Sequence, residues 1–449
     1  MTSRGLLPQV LACLLIVSGI LFAVPHVAGS TLSDHAPILI NGDSDFTASN
    51  GVTGGTGTFS DPYVISGWSI TGSAGTICIH IVNTSVYFIV ENVQASCGNF
   101  DTTSSGMEIQ GVSNGQILSS SIQGWGESGE IDSSTNILFS NNQVFTEGGA
   151  NAPRYGFSIT GVTNSTVSGN TFGPASGGDS VHISNSRNDL FSGNTIYPGG
   201  CGAQACTSSG ATLEIDHSSL ITVEGNQMSN GTQCVFSLNY DLSLQILGNT
   251  LQGGDVACVV SLERTNSTVI SGNLIGPVPP GGSSIWPTVD LSIYYSENDL
   301  VTGNNITAEY QGILLGGDTG ISVFHNNVIN NKVQASDDST GGNHWDNGYP
   351  SGGNYWSDYS GSDPDNDGIG DTPYVFNYSQ DSYPLMKLFV ASPDPSPSVG
   401  GAVVPVDKLA LLGPFVLLAL PAAAGIVLIA LYSKRIKTNK GKMREQSIA

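Results

Sequence analysis

The hexapeptides VSGNTF (167–172), FSGNTI (191–196), VEGNQM (223–228), ILGNTL (246–251), ISGNLI (270–275) and VTGNNI (301–306) are variants of one phrase. VFHNNV (323–328) continues it in looser form. Taking the asparagine as origin gives Asn92, Ser120, Asn142, Asn170, Asn194, Asn226, Asn249, Asn273, Asn304 and Asn326, at intervals of 22 to 32 residues. Eleven places upstream stand Ile81, Ile109, Ile131, Ile159, Ile183, Ile215, Leu238, Leu262, Ile293 and Leu315, all Ile or Leu. Three places upstream every residue is apolar, and thirteen upstream only Gly129 is not. Two apolar positions flanking a polar one are the period-two signature of a strand with one buried face. Short strands, Gly/Asn turns and this repeat predict an all-β fold, a right-handed parallel β-helix solenoid of ten to eleven rungs stacked ~4.8 Å apart. A weaker rung, VISGWSI (64–70), puts Trp68 at the asparagine place. A propeller would need longer blades with hairpin turns, and a leucine-rich array would show leucine spacing.

Composition narrows the class further. The chain has 449 residues and a net charge of −23, but only 11% of residues are charged and 58 are glycine. A coiled coil, a helical bundle and a charge-driven disordered chain are excluded. Residues 30–407 hold 5 basic and 35 acidic side chains. That field repels phosphate backbones, which argues against nucleic acid as a partner and favours cations. Arg4, the apolar run Val10–Val24 and the small residues Ala28–Ser30 form a secretory signal over 1–29. Residues 409–432 begin with 23 uncharged positions and are followed by a basic tail, 433–449. The run is long enough for a membrane helix, and the tail places the C-terminus in the cytoplasm. Between these ends the sequence divides into an N-terminal cap (30–59), the β-helix (60–330), a Trp/Asp-rich cap (331–390) and a Pro/Ser stalk (391–408). The expected location is the cell membrane, single-pass, with the ectodomain outside. Six cysteines follow the signal, an even count that permits three disulfides. Cys234 and Cys258 both lie fifteen before their origins and so stack on neighbouring rungs, at a spacing a disulfide accepts. Cys201–Cys206 is a loop pair, and Cys78–Cys97 remains by elimination. Six Asn-X-Ser/Thr sequons, at Asn83, Asn164, Asn230, Asn266, Asn305 and Asn377, are candidate glycan acceptors in an exported chain, although a chain this rich in Asn, Ser and Thr also produces the pattern by chance.

The register also defines an outward face. Twelve before the origin lie His80, Glu108, Glu130, Ser158, His182, Glu214, Ser237, Ser261, Ser292 and Leu314. Two residues on come Gln110, Asp132, Thr160, Ser184, Asp216, Asn239, Glu263 and Tyr294. His182 and Glu214 are therefore rung neighbours with Asp216 beside them, and Glu130 and Asp132 lie two rungs away. A strip built from His80, Glu108, Glu130, His182, Glu214 and Asp216 suits sugar hydroxyls or a cation. If the protein is an enzyme, Glu214, Asp216, His182, Glu130 and Asp132 are the candidates, as paired carboxylates with an imidazole. Outward positions of an acidic solenoid are polar in any case, so a purely structural role reads equally from them. A β-eliminating lyase needs a basic proton acceptor, and none of Arg154, Arg187, Arg264, Lys332 and Lys387 falls in the strip.

After Asn330 the repeat stops. GGNHW (341–345) and GGNYW (352–356) recur eleven residues apart, followed by Asp363, Asp365, Asp367, Gly368, Ile369 and Asp371. Alternate carboxylates, a glycine for the turn, a carbonyl from Ile369 and a further Asp match the first part of an EF-hand-type Ca2+ loop. The twelfth position is Tyr374 instead of Glu, so the loop is truncated unless Asp381 or Asp358 completes it. NHWDNGYPSGGNYWSDYSGSDPDNDGIGDTPY (343–374), with Asp381, Tyr383, Pro384 and Leu385 beyond it, resembles the C-terminal segment of NosD-type β-helix proteins. The resemblance implies a pectate-lyase-like solenoid and, from the family's periplasmic copper-binding accessory factor, copper as cargo. The ligand count speaks against copper, which prefers clustered Met, Cys and His. Past the signal, Met stands only at 107, 228, 386 and 443, and the histidines are scattered. The resulting expectation is a surface-anchored structural or carbohydrate/cation-binding module. The alternatives are a hydrolase or lyase on extracellular glycans and a copper-binding accessory factor.

Overall fold

The computed structural model describes residues 32–98, 103–125, 127–146, 155–173, 178–198, 210–229, 234–253, 258–276, 288–307, 310–339 and 341–390. The chain coils through three parallel sheets that run the length of an all-β, right-handed solenoid. Sheet I has 12 strands, from Ile38–Asn41 to Val333–Asp337. Sheet II has 12, from Val52–Gly54 to Ser322–Phe324, and sheet III has 13, from Ser33–His35 to Tyr355–Trp356. The antiparallel pairing of Val52–Gly54 with Tyr63–Ser66 breaks the parallel pattern at the N-terminal end. The sheets reach past the 60–330 stretch at both ends, because Ser33–His35 and Ile38–Asn41 already pair in parallel with the next rung.

Three inward columns build the core. Ile81, Ile109, Ile131, Ile159, Ile183, Ile215, Leu238, Leu262, Ile293 and Leu315 pair one on the next down sheet I. Each is at most 2% exposed, and burial of such a side chain contributes roughly 1.5–3 kcal/mol. Sheet II supplies Phe139, Val167, Phe191 and Val223 in register, and sheet III supplies Phe172, Ile196 and Met228. Gly129, the one gap in its column, leaves room for Phe157: a Cβ there would lie 2.9 Å from the Phe157 ring. Phe157 in turn packs against Phe139 and Phe172.

The asparagines form the predicted ladder. Asn170 Oδ1 accepts from the Asn142 main-chain N–H at 2.8 Å and from its Nδ2 at 3.1 Å. Asn170 Nδ2 donates to the Phe139 carbonyl at 2.9 Å. The same three bonds recur at Asn194, Asn226, Asn249, Asn273, Asn304, Asn326 and Asn354. The ladder ends on a carboxylate, since Asn354 N–H donates to Asp381 Oδ2 at 2.7 Å. Its first member differs from the sequence reading. Asn92 is not on the ladder; Val93 takes that place, with its N–H bonded to Ser120 Oγ. One extra residue between Ile81 and the next inward position makes Val90, rather than Ile89, the partner of Ile117.

A second ladder lines the corner between sheets I and II. Val162 N–H donates to Ser186 Oγ, Ser218 N–H to Asp241 Oδ1 and Ser296 N–H to Asp318 Oδ1. Burial outweighs these bonds and pushes Asp241 up to about 8 and Asp318 up to about 7. The cap closes the open end of the core. Trp345 and Trp356 are 2% and 1% exposed, and their indole N–H groups donate to Asp337 and Asp381.

Cys78 and Cys97 are bonded, with Cα atoms 5.6 Å apart, and tie sheet III to sheet I. Cys234 and Cys258 are bonded across neighbouring rungs, Cα atoms 4.7 Å apart. Cys201–Cys206 lies outside the described residues. No helix among the described residues is long and apolar enough to cross a membrane. The signal over 1–29 and the span over 409–432 also lie outside them.

Removing a ladder side chain leaves buried N–H and C=O groups without partners on two rungs. Asn226→Ala should therefore cost on the order of 3 kcal/mol, read as a lowered urea midpoint. Asn188→Gly, at an exposed corner whose φ of 59° suits glycine, should shift it by under about 0.5 kcal/mol.

Candidate functional site

On sheet I the side chain between two inward residues faces out, so parallel pairing in register lines these side chains into columns. The column His80, Glu108, Glu130, Ser158, His182, Glu214, Ser237, Ser261, Ser292, Leu314 is continuous, each residue paired with the next. So is its companion, Gln110, Asp132, Thr160, Ser184, Asp216, Asn239, Glu263, Tyr294. His182 and Glu214 are rung neighbours, and Glu130 is separated from His182 by Ser158 alone. Facing outward does not mean exposed, however: Ser158 is 5% and His182 6% exposed.

The N-terminal part of the strip is a carboxylate cluster. His80 Nε2 lies 3.9 Å from Glu108 Oε2. Glu108 is raised by burial, opposed by His80. Glu130 is raised by burial and then by the charges of Asp132 and Glu108. Gln110 Nε2 donates to Asp132 Oδ2 at 2.7 Å and holds that carboxylate in place.

The central part surrounds His182. Its ring stacks on Tyr155, with centroids 4.0 Å apart and planes 9° from parallel. Its Nε2 lies 3.3 Å from Asp216 Oδ1, and His217 Nδ1 lies 3.3 Å from Asp216 Oδ2. Burial opposes ionisation of Asp216, but the two imidazoles outweigh it and hold the carboxyl below the ordinary value. Glu214 is held differently, accepting from Asn239 Nδ2 at 3.1 Å. His182 Nδ1 is buried and has no hydrogen-bond partner among the described residues.

Two residues here were not singled out in the sequence. Tyr155 lies fifteen before Asn170, and Glu127 fifteen before Asn142. That is the position Cys234 and Cys258 occupy, so the register contained the signal, but it was applied to the cysteines alone. Glu127 is pushed up to about 7 by burial, against a Ser158 hydrogen bond and with help from Glu130 and Glu108. Its Oε1 is buried without a partner. Glu127 stands on the rung before Tyr155 and His182 stacks on the Tyr155 ring, each with one polar atom that finds no partner among the described residues, and native interiors rarely leave such atoms unpaired. The arrangement can accept and donate hydrogen bonds to a hydroxyl-rich ligand, and Glu127 can carry a proton near neutral pH.

The acidic loop of the cap is the other cluster. Ligand oxygens of Asp363, Asp365 and Asp367 lie within 4.8 Å of one another. Gly368 turns the chain at φ 93°, and Asp363 accepts from Asp367 and Gly368 N–H. Asp365 is raised by desolvation and by Asp363 and Asp367. Asp371 is not gathered into this cluster, and Ile369 buries its side chain. Neither Asp381 nor Asp358 completes the loop. Asp381 binds Asn354, Trp356 and Tyr383, while Asp358 accepts from Tyr374 and Gln334.

Residues 208–361 match the family described as periplasmic copper-binding protein (NosD). Over that stretch the chain is similar to NosD-type β-helix proteins. The curated "Probable ABC transporter binding protein NosD" of Pseudomonas aeruginosa is 29% identical over 178 residues, 38% of this chain and 37% of that one. Its namesake in Stutzerimonas stutzeri is 28% identical over 178 residues, 38% of this chain and 36% of that one. The NosD match therefore spans little more than a third of these relatives' length. Among solved structures, the A-module of mannuronan C-5 epimerase AlgE6 from Azotobacter vinelandii superposes with a TM-score of 0.51 at 14% identity. It covers 71% of this chain and 88% of that one, a likeness of fold. The family match takes in Glu214, Asp216 and the cap as far as residue 361, short of the acidic loop, and leaves Glu127, Tyr155 and His182 on the N-terminal side of it.

Glu127 sets a pH dependence. Its folded-state value lies above the ordinary one of 4.5, so the fold favours the protonated acid. That stability is fully present below 4.5 and is lost as pH rises through about 7. Glu127→Gln should therefore melt at a higher temperature than the parent at pH 9, with the gap closing by pH 4. Melting curves across that range check it.

Proposed function

We propose that this NosD-type protein is an exported, surface-anchored module that binds extracellular glycan on the outward face of sheet I, around Tyr155, His182 and Glu127. One observation carries the reading. Two buried polar atoms, Glu127 Oε1 and His182 Nδ1, find no partners among the described residues, and the ring of Tyr155 stacks on the second of these residues. Hydroxyls of a sugar would satisfy both, and a planar ring beside them suits a sugar's apolar face. The signal over 1–29 and the apolar run over 409–432 support export and anchoring. A glycan-cleaving enzyme is the alternative, favoured by Glu127, whose acid held near 7 suits a proton donor.

A glycan array with the full-length chain tests both. Binding should be present and should weaken at least tenfold in His182→Ala and in Glu127→Gln. Binding insensitive to both changes, or none across a broad array, sinks the proposal, and shortened glycans after incubation would favour the enzyme.

The acidic loop supports a second role for the cap, a weak Ca2+ site held by Asp363, Asp365 and Asp367. Three carboxylates around one point suit a hard cation, whereas copper, the cargo in the family's description, favours His, Cys and Met. Asp365→Ala should abolish a chelator-sensitive rise in melting temperature. An unchanged melting curve on chelation, or stoichiometric copper without calcium in a metal analysis, would refute it.

A further inference from the structure

We infer that a groove on sheet II, separate from the face described above, is a binding site for a neutral saccharide. The groove has a volume of about 520 Å³ and lies near the N-terminal end of the solenoid. Its floor is the outward column Gln116, Leu138, Thr166, paired in register. One wall is the 55–62 turn, closed by the Thr58–Asp61 bridge and fastened to sheet II by Tyr87 N–H donating to the Gly57 carbonyl at 3.0 Å. At its tip Phe59 is 81% exposed, steadied only by the edge of Tyr87, with ring centroids 5.4 Å apart and planes at 78°. A large apolar ring held out in this way leaves a face for a ligand to cover.

The rest of the lining includes a row of corner amides. Asn114 Nδ2 donates to the Ser85 carbonyl at 3.1 Å, and Asn136 Nδ2 to Asn114 Oδ1 at 3.4 Å. Farther along, Asn188 Nδ2 donates to Asn164 Oδ1 at 2.7 Å. The row is interrupted between Asn136 and Asn164, which stand on adjacent rungs. Among the described residues this leaves Asn136 Oδ1 open as an acceptor and Asn164 Nδ2 open as a donor, both on residues lining the groove. An acceptor and a donor on adjacent rungs, whose backbones stand about 4.8 Å apart, suit neighbouring sugar hydroxyls.

Charge selects the class of ligand. The chain carries 36 acidic residues, yet among the described residues no charged side chain lines this groove. A cation would find no counter-charge there and an anion no donor of full charge, while a lipid chain would strip water from the amides without replacing it. Hydroxyls paired with amides, and a sugar face against Phe59, satisfy every group present.

Binding of uncharged cello-, xylo- and mannohexaose to the full-length chain is the test, with an oligogalacturonate hexamer as the charged comparison. A neutral hexamer should bind, and Phe59→Ala and Asn136→Gly, glycine suiting the φ of 56° there, should each raise Kd about tenfold, while Tyr378→Ala, at the exposed cap hairpin, leaves it unchanged. Both substituted side chains lie on the surface, so folding is not at stake. The inference is overturned if no neutral hexamer binds, if the charged hexamer binds better, or if Kd moves with His182→Ala but not with Phe59→Ala. A glycan found by mass spectrometry on Asn164 Nδ2 would overturn it as well, since the open donor would be consumed.

Discussion

Everything in this molecule depends on one constraint, that each rung can satisfy its main-chain hydrogen bonds only through the rungs above and below it. Along the strands parallel pairing does this automatically. At the corners it does not, because a turning chain points its N–H groups away from any sheet partner. The asparagine ladder supplies the missing acceptors, and its amide nitrogens fill the carbonyls of the next rung. Serine and aspartate do the same at the corner between sheets I and II. An aspartate there retains the acceptor but is buried, which explains why Asp241 holds its proton to about pH 8.

The same constraint makes the surface linear. Once the inward residues are stacked, the outward ones have no freedom of placement and form straight columns one rung apart. A polymer lying along the axis would meet a repeating set of groups, which suits an extended glycan better than a compact small molecule. The two proposed sites use this differently. On sheet I, stacking buries His182 between Tyr155 and Asp216 and leaves polar atoms unsatisfied. On sheet II, an exposed ring stands over a broken row of amides.

How much of this could be read from the chain varies with the interaction. The ten Ile/Leu positions and the pairing of His182 with Glu214 follow from counting back from an asparagine, because parallel register copies sequence offset directly into space. Counting failed where a rung length changed locally: one added residue between Ile81 and Val90 moved the first ladder position from Asn92 to Val93. Counting was also too narrow at the column of Cys234 and Cys258, which holds Glu127 and Tyr155 nearer the N-terminus. In the cap no repeat guides the eye. There GGNYW carries the last ladder asparagine, Asn354, and the aspartate that terminates the ladder arrives from Asp381, 27 residues later.

The sequence alone therefore determined the solenoid, its register, its acidic character and which side chains share a column, since all of these depend on period and composition. Tertiary structure decided what those columns experience. Whether an outward histidine is solvated or enclosed, whether a carboxylate titrates near 4 or near 7, and whether an amide is paired or open depend on distances across rungs and on neighbours brought from other loops. Periodicity contains no information about such neighbours, because desolvation and hydrogen-bond geometry exist only once the coils are packed.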